Sequence, residues 1–297
     1  MRKLFTGVFV TLCAVLCLCM APLALGQENK NVPESLPSGW HIYAQGELPP
    51  TVISCLNHSR ANWRVLIEGG DLKIVEYKPE TVELPPEFKT YPQWVRAQRH
   101  VLKFDGGWLV GIDGGEWGGG LWITNESGSQ SKLLIRENVK GIVTTTYGIL
   151  VFSGLGHMLG NFGDVVVLSD PHNMRVNLEW SAHLDWEPVA FAKQPDDSVL
   201  FATRYEVARI SPPREPEHTE KMEELFFLKP YRGYTFSPNS IAKAPDGSIY
   251  LGSRGLVVRI PPEDTDVGHS TVSKEQFLSP DDCRLPAARQ DQCVCGP

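Results

Sequence analysis

The segment PVAFAKQPDDSVLFATRYEVARISP, Pro188 to Pro212, returns fifty residues later as PNSIAKAPDGSIYLGSRGLVVRIPP, Pro238 to Pro262, with eleven of twenty-five positions identical. A fixed offset of this size means that one supersecondary unit is used more than once. In the second copy NSIAKA, SIYLGS and GLVVRI are short β-rich runs, divided by the turn PDG and by Arg254 and Gly255. A polar loop then leads to a fourth run, KEQFL. Four such runs with turn residues between them describe an antiparallel meander.

The same order can be followed upstream. The preceding copy reads PVAFAK, SVLFAT, EVARI and EELFFL. Before it come GIVTTT, GILVFS, DVVVLS and VNLEWS, then RHVLKF, GWLVGI, GLWITN and KLLIRE. The first copy is the least regular, with TVISCL, WRVLIE, DLKIVEY and TVELP. Placing second strands at Asn62, Gly107, Gly148, Ser198 and Ser248 gives steps of 45, 41, 50 and 50 residues. A small sheet that is apolar on both faces must be covered by neighbours, and a ring leaves no end sheet bare. The expectation is an all-β chain folded as a β-propeller of five blades, each of four antiparallel strands. WHIYAQ, Trp40 to Gln45, is a spare strand suited to closing the last blade, and it leaves six blades as the alternative. A sandwich or solenoid is the competing fold, but sandwich strands have no reason to recur at a fixed offset.

Residues 1–26 read as an export signal: Arg2 and Lys3, an apolar stretch to Leu25, and small residues at Ala24 and Gly26 before a cleavage point. An uncleaved anchor is the alternative. The expected organisation is a signal peptide over 1–26, a propeller over 27–280 and a cysteine-containing tail over 281–297, in a periplasmic or extracellular protein. Loss of the leader takes the formal charge from −7 to −9. Such a balance argues against nucleic acid and anionic membranes as partners, since both require a basic surface. Of seven cysteines, Cys55, Cys283, Cys293 and Cys295 remain. An even count in an exported chain suggests disulfides, with one bridge from Cys283 to Cys293 or Cys295 and a second from the other of that pair to Cys55. The CxC pair has no nearby histidine to complete a zinc site.

PNSIAKAPDGSIYLGS resembles the blade signature of NHL-type and gluconolactonase-type propellers, with Pro-Asn before the inner strand and Asp-Gly after it. The match is good over the last two units and loose in the third. The resemblance implies a divalent metal in the central channel, held by Asn239 and acidic residues of other blades. This chain departs from the pattern with Val189 at the position matching Asn239 one unit earlier, and with Ser253 where an acidic residue often stands. No metal and no cofactor are therefore expected.

In a meander, the links between second and third strands share a face with the links between units. Two of these links are lengthened and rich in glycine: IDGGEWGGGL, Ile112 to Leu121, and SGLGHMLGNFGD, Ser153 to Asp164. Ordering glycine-dense loops costs entropy that a tight turn avoids, so the pair marks the face to search. The candidate residues there are Asp113, Glu116, Trp117, His157, Asp164, Glu187, Arg204, Tyr231, Arg232, Asn239 and Arg254, with Asn161, Asp185 and Trp186 beside them. Carboxylates, arginines and aromatic rings at one mouth suit a glycan, a peptide or another polar ligand. Trp117 as an inter-blade packing residue is the structural alternative. Two functions follow: a binding module for a small polar ligand, glycan or protein, and a hydrolase, either metal-assisted or using Asp113 and Glu187 as paired carboxylates. GxSxG, HExxH and phosphate-loop motifs are absent, so no catalytic residue is assigned.

Overall fold

The computed structural model describes residues 37–44, 47–48, 56, 59, 61–89, 97–157, 160–213, 221–227, 237–262 and 275–280. Residues 1–26, read above as an export signal, and Cys55, Cys283, Cys293 and Cys295 lie outside these residues. The chain divides into Met1–Val32 and Pro33–Pro297, and every described residue belongs to the second unit. Among the described residues no helix is long and apolar enough to cross a membrane.

Strand β1 is Trp40–Ala44. Sheet 1 is the hairpin β2 (Trp63–Glu68) and β3 (Asp71–Glu76). Sheet 2 is β4 (Gln98–Phe104), β5 (Gly107–Asp113), β6 (Gly119–Asn125) and β7 (Ser131–Ile135). Sheet 3 is β8 (Val139–Thr145), β9 (Gly148–His157), β10 (Gly160–Leu168) and β11 (Leu178–Leu184). Sheet 4 is β12 (Ala190–Lys193), β13 (Val199–Ala202), β14 (Glu206–Ser211) and β15 (Lys221–Phe227). Sheet 5 is β16 (Ser240–Lys243), β17 (Ile249–Gly252), β18 (Val257–Ile260) and β19 (Gln276–Pro280), with β1 as a fifth strand on β19. All pairings within these sheets are antiparallel, and sheets 2 to 5 are meanders as the repeat implies.

Strand alternation explains how the sheets stack. In β13, Leu200 and Ala202 join the core shared with sheet 5, while Val199 and Phe201 join the core shared with sheet 3. In β9, Leu150 and Phe152 face sheet 4, whereas Ile149 and Val151 face sheet 2. Each Val, Leu, Ile or Phe buried in this way contributes about 1.5–3 kcal/mol relative to exposure. The first strands pack in the order β4, β8, β12, β16, β2. Leu84 and Phe88, which follow sheet 1, lie on Val110 and Ile112 and cover the other face of sheet 2. The arrangement is propeller-like.

Two sequence readings change. WRVLIE was expected as the second strand of its unit. It forms β2 instead, packs on β16 as a first strand does, and turns at Gly69 and Gly70 into β3. Gly70 lies beside Pro245 of the corresponding turn in sheet 5. The Asn62 starting point was therefore one strand early, and TVELP is not a strand. The break at the glycine pair stands between WRVLIE and DLKIVEY as expected; the register slipped because TVISCL, most of which lies outside the described residues, was counted as the first strand. The second change concerns the lengthened links. His157 pairs with Gly160 and Gly154 with Gly163, so most of the Ser153–Asp164 stretch is a hairpin extension of β9 and β10. In sheet 2 the strands run to Asp113 and from Gly119, and a single 3-10 turn, Gly115–Trp117, forms the tip. Glycine here admits close approach: a Cβ at Gly163 would meet Pro188 and Trp186, and one at Gly156 would meet the Glu187 carboxylate.

Candidate functional site

Lys140 enters at the start of β8, between Val139 and Gly141. Its Nζ donates to Asp113 Oδ2 at 2.8 Å and binds Glu187 Oε1 on its other side. Asp113 ends β5, and Glu187 lies in the link between β11 and β12, so the trio joins three separate elements. The side chains are 9 to 11% exposed. Buried charges persist only when paired and hydrogen-bonded; the backbone adds a bond to the Asp113 carboxylate, while the Glu187 main chain is held by Asn161. Asp113 Oδ1 accepts from Gly115 N at 2.9 Å, and Glu187 N donates to Asn161 Oδ1 at 2.8 Å.

Asn138 fixes the tip above the trio. Its Oδ1 accepts from Gly114 N at 3.1 Å, and its Nδ2 donates to Gly115 O at 2.9 Å. Gly114 N also reaches Gly118 O, and Trp117 N reaches Gly114 O. A turn so tied points Trp117 outward, with 79% of its surface exposed. The packing reading of Trp117 is therefore corrected. Beside it, Glu116 Oε1 and His157 Nε2 are 2.7 Å apart, which joins the two glycine-rich hairpins at one rim. Trp186 and Tyr205 meet with their rings tilted at 52° and their centres 4.3 Å apart, next in sequence to Glu187 and Arg204 respectively. Arg204 Nε is buried and has no hydrogen-bond partner among the described residues.

The displaced titrations include those of His100 and Glu206. Burial lowers the His100 pKa, against the pull of Asp113 and with the help of Lys140, and its Nε2 has no hydrogen-bond partner among the described residues. His100 pairs with Gly111 and therefore shares the Asp113 side of the sheet. Glu206, which opens β14, has its pKa raised to about 7 by burial and by the charges of Glu224 and Asp185.

The structure thus gathers Asp113, Glu116, Trp117, His157 and Glu187, and adds Lys140, Asn138 and His100. The last three were missed because each reads as an ordinary strand or loop residue. The one available signal was a lysine inside the apolar run of an inner strand. Asp164 faces the outer strand instead, 3.0 Å from His183, since it sits within β10 and not at its tip. Arg254 is exposed, and its backbone bridges to Asn62. Tyr231, Arg232, Cys55, Cys283, Cys293 and Cys295 lie outside the described residues.

The metal implied by the blade resemblance does not fit the residues present. Asn239 Nδ2 donates to Asn62 Oδ1 at 2.6 Å, and its Oδ1 accepts from Ser240 Oγ at 2.9 Å, so the amide ties sheet 5 to the start of sheet 1. Ser253 Oγ donates to Ser237 O at 3.1 Å. No group of three or more His, Cys, Asp or Glu residues among the described ones could hold a metal ion.

No family model matches this chain, and no curated protein does. Among solved structures it is similar to the calcium-binding protein regucalcin of Agrobacterium tumefaciens, at 14% identity and a TM-score of 0.37 over 58% of this chain and 60% of that one. It is similar to a periplasmic gluconolactonase of Pseudomonas aeruginosa, at 12% identity and a TM-score of 0.40 over 74% and 69% of the two chains. Virginiamycin B lyase of Staphylococcus aureus gives 12% identity and a TM-score of 0.39 over 82% and 76%.

Proposed function

We propose that this chain is an exported, five-bladed propeller whose glycine-rich rim binds a polar ligand: a glycan, a peptide or a group on a protein partner. The observation that carries this reading is Trp117. An indole is ordinarily buried, yet this one is held outward on a turn tied through Asn138 and Asp113, beside the Glu116–His157 pair. Stacking on a rigid ring with charged groups alongside is how polar ligands with an apolar face are held. The five sheets and the Leu84–Phe88 cover on sheet 2 support ring closure with five blades. Tryptophan fluorescence titration against glycan, peptide and lactone panels tests the site. A ligand that binds wild type and Trp117→Ala equally well would sink the assignment.

A hydrolase acting at the same rim is the second reading, and Glu206 favours it. A carboxyl group with a pKa of about 7 keeps its proton long enough to act as an acid near neutral pH. The paired-carboxylate form using Asp113 and Glu187 is disfavoured, because Lys140 fills the space between them that a scissile bond would need. Turnover of a lactone or glycoside that is lost in Glu206→Gln, with binding retained, would establish the enzyme. Full turnover in that variant would remove Glu206 from the chemistry.

A further inference from the structure

Two buried carboxylates that approach one point, Asp113 from the end of β5 and Glu187 from the link between β11 and β12, supply part of the oxygen donor set that a hard divalent cation takes. At that point stands the Lys140 ammonium, 2.8 Å from Asp113 Oδ2 and in contact with Glu187 Oε1. Without it, two like charges would be left uncompensated out of water. We propose that Lys140 is a covalently attached substitute for a divalent cation, so that the rim is charge-balanced without metal and becomes a metal site when the ammonium is removed. Asn138 and Gly156 give the substitution its geometry. Asn138 fixes the Gly114–Gly115 backbone against Asp113, and the bare Gly156 backbone leaves room for the Glu187 carboxylate. The inference concerns the charge balance of the trio and does not depend on whether the rim binds a ligand.

The test is calorimetric titration of the full chain with CaCl2 and with MnCl2, in wild type, Lys140→Ser and Lys140→Ser/Asp113→Asn, with thermal melts alongside. Lys140→Ser is expected to bind one cation in the roughly 0.1–1 mM range of modest carboxylate sites. That affinity should be at least about tenfold above wild type, with a rise in melting temperature as cation is added. The double variant should lose both effects. Should Lys140→Ser fail to fold alone, recovery of a cooperative melt on refolding in CaCl2 is the same positive result. A folded Lys140→Ser that binds no better than wild type would overturn the proposal. So would a variant that cation cannot rescue, or a wild type that binds the cation equally well through Asp113.

Discussion

At the scale of single residues, the site is a matter of which charges are paired and which ring is left exposed. Removing one partner of a buried ion pair strands the other, at about 3–5 kcal/mol. Lys140→Met should therefore lower the urea-derived unfolding free energy by that order, and Lys140→Met/Asp113→Asn/Glu187→Gln should recover part of the loss. Trp117→Ala should act in the opposite manner: being largely exposed, it should alter stability by less than about 0.5 kcal/mol while abolishing ligand binding at the rim. Glu206 sets a pH dependence. Its folded pKa of about 7 lies above the ordinary glutamate value of 4.5, so between these values the folded state holds more protons than the unfolded. Stability contributed by the neutral carboxyl is thus complete below about 4.5, falls as pH rises, and levels off above about 7. Glu206→Gln should flatten that decline in melts taken from pH 4 to pH 8. An unchanged slope would show that another group is responsible.

At the scale of elements, the informative units are the two extended hairpins. Their glycines were legible as unusual, but not as strand residues, because glycine has low strand propensity and hides the period of two. What selects glycine is the neighbouring sheet. At Gly156 a methyl group would press on the Glu187 carboxylate and push it from Lys140. Gly156→Ala should cost about 1–3 kcal/mol as overpacking, and it should weaken ligand binding as well, which equilibrium denaturation and titration would show together. The first unit was misplaced because TVISCL was counted as its first strand, which made the Gly69–Gly70 turn the second of the unit when it is the first. The later turns were read correctly because Asp246 and Gly247 carry a stronger local signature: Ser248 N donates back to Asp246 Oδ1 at 2.9 Å.

At the scale of the whole molecule, β1 clasps the chain. Trp40 pairs with Pro280 on β19 and packs its ring against Trp63 of sheet 1 at 5.0 Å, so residues far apart in sequence secure the same join. Deleting residues 37–44 would bare the β19 edge beside the buried Phe277 and Leu278. The expected result is a lower urea midpoint and concentration-dependent association through the open edge, read by light scattering. WHIYAQ was recognisable as a spare strand from its isolation upstream of the first unit. By itself the sequence determined the meander and the unit boundaries in sheets 2 to 5, since these follow from turn chemistry and alternation within a few residues. Only the tertiary structure decided that Lys140 lies between Asp113 and Glu187, that Asn239 is a tie between sheets, and that Asp164 faces away. Those pairings cross from sheet to sheet, and no local periodicity records which side chain of one sheet will meet which side chain of the next.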